Sequence, residues 1–150
     1  FSHLSIMSTL GIRPPGGCHY PAAGYAEFAR LLQPLIERDH YGRTFETHIT
    51  PANLVSARSI AQGAELRLEF DQPVAWNERL AGQFYLDGKA APIKSGEVDG
   101  NALVLRLERL TQATNVTYLD SKSWNPDNLL WGANGIAALT FCEVPLIQDQ

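Results

Sequence analysis

Near residue 50 the spacing of apolar residues changes from three and four to two, and few folds accommodate that change. Upstream of it, Tyr25, Phe28, Ala29, Leu32, Leu35 and Ile36 form one stripe, as on an amphipathic helix. Pro21 suits the start of that helix, because the N–H that proline lacks would have no partner in a first turn. Gly42 suits the left-handed residue that ends one. Pro34 falls inside the stripe and is expected to disturb it. Downstream, Leu66, Leu68 and Phe70 alternate with Glu65, Arg67 and Glu69. Leu103, Leu105 and Leu107 alternate with Val104, Arg106 and Glu108. A period of two puts each leucine set on one side of a strand and the charged set on the other.

Further strand candidates are residues 53–60, 82–86, 91–98, 115–120 and 136–144, separated by turn pairs such as Gln62-Gly63, Asp87-Gly88 and Asn134-Gly135. Short strands at this spacing predict an antiparallel β-sandwich over residues 48–150. Residues 4–10 are apolar enough for a buried strand, and 11–17, Gly-Ile-Arg-Pro-Pro-Gly-Gly, form a loop before the helix. Residues 1–47 therefore read as strand, loop and helix, the edge of an α/β sheet. One such unit cannot cover both its faces. It is expected to lean on the sandwich or on a segment outside this chain. The fold class is mixed, with the boundary between residues 43 and 51.

At 45% hydrophobic and 19% charged residues the composition is globular. A formal charge of -4 with no basic cluster argues against a nucleic-acid partner. No apolar run nears the roughly 20 residues of a membrane span, and no signal-peptide pattern is visible. The first residue, Phe1, points to a longer precursor. Two cysteines, Cys18 and Cys142, make no disulfide framework, and their pairing stays open. The sequon Asn115-Val116-Thr117 reads more simply as part of a strand.

The four histidines, His3, His19, His40 and His48, have no metal-ligand spacing, and no cofactor or metal is expected. His40 near a helix end suits the dipole there, and His3 and His48 read as solvated. His19 differs, since it sits between a Pro/Gly-rich loop and a helix start. Ligands bind at such loops in open α/β sheets, and an imidazole titrates near neutrality, as a general base should. A plain loop histidine bonded to backbone is the other reading. Trp124, Trp131 and Tyr118 around residues 125–128 could form a sugar platform or close the end of a core, and Trp76 reads the same way.

Residues 17–25, Gly-Cys-His-Tyr-Pro-Ala-Ala-Gly-Tyr, with the helix through Tyr41-Gly42, resemble the closing block of SGNH (GDSL-type) hydrolases. The branch they are similar to is that of the sialate, or carbohydrate, O-acetylesterases. Residues 128–141, Asn-Leu-Leu-Trp-Gly-Ala-Asn-Gly-Ile-Ala-Ala-Leu-Thr-Phe, resemble that branch's closing Gly-Leu-Pro-Ala-x-Pro-Phe segment, with Ala137 and Thr140 at the proline positions. The resemblance implies that residues 1–47 are the C-terminal remnant of an SGNH-type catalytic domain. It makes His19 the catalytic histidine of a serine esterase that deacetylates carbohydrates.

The sequence departs from the family pattern in two ways. Gly16 stands where the family carries the aspartate three residues before the histidine. The Gly-Asp-Ser nucleophile block and the oxyanion-hole blocks are absent, and Ser5 and Ser8 lack that context. The implied partners are thus an upstream segment carrying the serine and an acetylated carbohydrate. An extracellular or periplasmic location follows by analogy from that substrate. The alternative is a non-catalytic carbohydrate-binding or structural β-sandwich module.

Overall fold

The computed structural model describes residues 4–15, 17–120, 122, 125 and 127–149. Among these residues the chain is mostly β, with one α-helix and several sheets. The helix, α1, spans Ala22–Tyr41, with Pro21 in extended backbone before it and Gly42 at φ 66° after it. Arg43 N–H then bonds Glu37 O at 3.1 Å, closing the last turn. α1 continues through Pro34. Leu31 and Leu35, on either side of it, are buried, and their packing outweighs the one backbone bond that proline removes.

Residues 4–10, expected as a buried strand, form no strand; Leu4 is 62% and Ile6 52% exposed. A strand needs a neighbour to take up its backbone N–H and C=O groups, and the described sheets hold none for this segment.

Among the described residues the β region has eleven strands. They are β1 (Leu54–Ile60), β2 (Glu65–Phe70), β3 (Val74–Ala75), β4 (Phe84–Leu86), β5 (Lys89–Ala90), β6 (Ile93–Asp99), β7 (Ala102–Leu107), β8 (Asn115–Tyr118), β9 (Trp131–Gly132), β10 (Phe141–Pro145) and β11 (Ile147–Gln148). A five-stranded sheet has the order β11-β1-β2-β7-β6, a four-stranded sheet β10-β8-β4-β5, and β3 pairs β9. Four of the strands, β3, β5, β9 and β11, are two-residue pieces. The pairing is antiparallel except that β11 lies parallel to β1, a departure from the all-antiparallel expectation.

Registers Leu66↔Leu105 and Leu68↔Leu103 stack the leucines on one face, and all four are fully buried. Phe84, Val116 and Tyr118 of the other sheet are equally buried in the same cluster, so the two large sheets share one core. Val104, on the charged face, is nevertheless buried: it pairs with Arg67 and Glu97, whose stems lie alongside it.

The helical region leans on the β region. Ile12, Leu31 and Ile136 form a small cluster, with Met7, Tyr20 and Phe28 partly buried against it. Trp131 lies over Gly11 so closely that a Cβ there would come within 2.4 Å of the ring. Arg13 pairs with Asp127 at 2.8 Å. The connecting segment is tied down by Asn134, whose Nδ2 donates to the carbonyls of His48 at 3.1 Å and Thr50 at 2.8 Å.

Candidate functional site

His19 is exposed, in the bend that leads into α1. The first helical turn presses on this bend: Gly24 is buried, and a Cβ on it would meet Tyr20 Cβ at 2.9 Å and Pro14 O at 3.0 Å. Tyr20 is therefore fixed between the helix and the small cluster. The Tyr25 ring stands edge-on to Tyr20, with centroids 5.8 Å apart and an interplanar angle of 86°. Its Oη lies 3.4 Å from His19 Nδ1. Among the described residues no carboxylate bonds the His19 ring. Gly16, where the family aspartate would stand, lies outside the described residues, as do His3 and Trp124.

The remaining candidates separate from His19. Ser5 Oγ donates to Asp39 Oδ2 and accepts from Arg38 Nη2 at 2.7 Å. The Arg38 guanidinium, and after it the Ser5 hydroxyl, hold Asp39 down to about 2. A carboxylate that acidic is a poor base for a serine, so Ser5 is no nucleophile in this setting. Ser8 Oγ is buried without a partner among the described residues. Cys18 and Cys142 are both free and exposed. His40 sits in the last turn of α1, and His48 is exposed. No three His, Cys, Asp or Glu side chains come together among the described residues to hold a metal ion.

The aromatics behave as core and seam. Tyr118 is fully buried and its Oη accepts the Leu130 N–H at 2.6 Å; burial pushes its hydroxyl up to about 12. Trp131 covers Gly11, and Trp76 covers Gly96 while its Nε1 donates to Glu78 at 3.2 Å. A shallow groove of about 500 Å³ runs between residues 4–7 and α1, lined by apolar Leu4, Leu32 and Ile36 and by polar Arg38, Asp39 and His40.

Sequence reading singled out His19 but assigned Tyr25, its neighbour in the structure, to the apolar stripe. One signal could have found it. Side chains on a helix tilt toward its N-terminus, so a tyrosine in the first turn of a helix starting at residue 22 reaches back over residue 19.

No family model and no curated protein sequence matches this chain. Among solved structures it is similar to a carbohydrate acetylesterase from Xanthomonas citri, at a TM-score of 0.64 and 18% identity. The match covers 87% of this chain and 30% of that one, so the chain spans less than a third of that enzyme's length. At that identity the likeness is one of fold.

Proposed function

We propose that this chain is the C-terminal portion of an SGNH-type serine esterase of the carbohydrate O-acetylesterase branch. In this reading residues 1–47 close the catalytic α/β domain and residues 48–150 form a β-sandwich. His19 is the general base, and the serine and oxyanion donors come from an upstream segment. His19 Nε2 takes the serine proton as the oxygen attacks the acetyl carbon, then passes it to the departing sugar hydroxyl. An acetylated polysaccharide as substrate would place the enzyme outside the cytoplasm or in a periplasm.

One observation carries the reading. The histidine that matches the family's closing block stands exposed at the mouth of the loop before α1, within a fold that a carbohydrate acetylesterase shares. The open apolar side of α1 supports it. Leu4, Ile36 and Tyr41 are exposed there, as a surface awaiting the rest of an α/β sheet would be.

The test is His19→Ala in the enzyme assembled with its serine-bearing segment, against an acetylated sugar. We expect kcat to fall by several orders of magnitude with the melting temperature nearly unchanged, because an exposed loop side chain buries little. A variant that keeps most of its kcat removes the proposal. The second reading, a non-catalytic carbohydrate-binding or structural module, predicts unchanged turnover and a lowered melting temperature.

A further inference from the structure

We infer that Tyr25 is the positioning residue for His19. Its hydroxyl accepts the Nδ1 proton and so holds the ring in the tautomer that leaves a lone pair on Nε2. The inference rests on the reading of His19 as a base and adds the group that orients it.

The geometry assigns this task to Tyr25 on three grounds. The first is contact: Oη stands 3.4 Å from Nδ1, and no carboxylate among the described residues competes for that nitrogen. Such bonds are often long in the free protein and shorten when substrate binds. The second is rigidity. Tyr25 is on the first turn of α1, braced edge-on by Tyr20, which itself packs with Ile12, Leu31 and Ile136. Gly24 lets the turn and the histidine loop approach closely, since a Cβ on residue 24 would come within 2.9 Å of Tyr20 Cβ. The third is the alternative tautomer. Were the Tyr25 hydroxyl to donate to Nδ1, the ring proton would sit on Nε2, and the ring could accept no proton there.

A phenol differs from the aspartate of other hydrolases in a way the experiment can read. It fixes the ring's orientation and tautomer but brings no negative charge to favour the imidazolium. Losing it should therefore cost only what one neutral hydrogen bond supplies, roughly three- to tenfold in rate.

The experiment is the Tyr25→Phe variant, which keeps the ring and its contact with Tyr20. Nitrogen-15 NMR of the His19 ring, at a pH where it is neutral, should show Nδ1–H predominating in the parent chain and a marked shift toward Nε2–H in the variant. Equal tautomer populations in the two proteins would overturn the inference. In the assembled esterase the variant should lower kcat roughly three- to tenfold with KM unchanged. If His19→Ala inactivates that enzyme and Tyr25→Phe leaves kcat intact, Tyr25 loses its role while His19 keeps its own. If His19→Ala is harmless, the reading of the site fails, whatever the tautomer does.

Discussion

The two regions of this chain bury their apolar residues very differently. The β region gathers eighteen buried residues into one cluster, whereas the cluster beneath α1 holds three, and one of those, Ile136, comes from the β region. Of the nine large hydrophobic side chains exposed among the described residues, Leu4, Ile6, Tyr25, Ile36 and Tyr41 belong to the helical region. The β region thus covers its apolar residues far more fully than the helical region does.

The largest effect should come from the contrast in cores. Leu105 is fully buried between sheets, so Leu105→Ala should destabilise the chain by about 2–5 kcal/mol in denaturant unfolding. Ile36→Ala, at 41% exposure, should stay within about 0.5 kcal/mol. Comparable losses at the two positions would break the distinction.

Next come the opposite ends of the pH scale. Tyr118 is raised from 10.0 to about 12, so the neutral phenol is favoured in the fold. Its contribution is complete below pH 10 and is lost as pH climbs through about 12, a decline of roughly 2–3 kcal/mol in the β region. Tyr118→Phe should flatten that alkaline limb, though it strands the Leu130 N–H and lowers stability at neutral pH. Asp39 is lowered from 3.8 to about 2, so its contribution is present above 3.8 and fades as pH falls through about 2. Denaturant unfolding followed across pH should accordingly lose an acid limb in Asp39→Asn and an alkaline limb in Tyr118→Phe, the alkaline limb being the larger in the parent chain. The reverse order of size would contradict the assignment.

The smallest of the three effects tests the seam. Gly11→Ala drives a methyl into Trp131 and should cost about 1–3 kcal/mol. Combining it with Trp131→Ala should recover part of that cost in a double-mutant cycle. Strict additivity would show that the two regions do not meet there.

How much of this was legible in the sequence follows from the range of the forces involved. The inward set Leu66, Leu68, Phe70, Leu103, Leu105 and Leu107 was readable because alternation is local, and so were the ends of α1 at Pro21 and Gly42. Residues 4–10 misled because apolarity without a period says that a segment wants cover, not which shape it takes. β3, β9 and β11 owe their existence to distant partners, and their two-residue lengths carry no pattern to detect. Val104 looked solvated because its shelter is two neighbouring strands' charged stems. At the site, the histidine stood out by its loop, while the tyrosine 3.4 Å away looked like one more residue of an apolar stripe.

The parallel pairing of β11 with β1 has an engineering consequence. Arg58 faces Ile147 and Ser59 faces Gln148, so the chain leaves β11 beside the finishing end of β1, not beside its start at Leu54. Had the two strands run in opposite directions, a two-residue turn could have joined them. As built, a circular permutant of residues 54–150 alone, in which the end of β11 is joined to Leu54, must carry its connector back along β1. Five residue steps at about 3.3 Å make that roughly 17 Å, so at least about five or six extended residues are needed, and more to follow the surface.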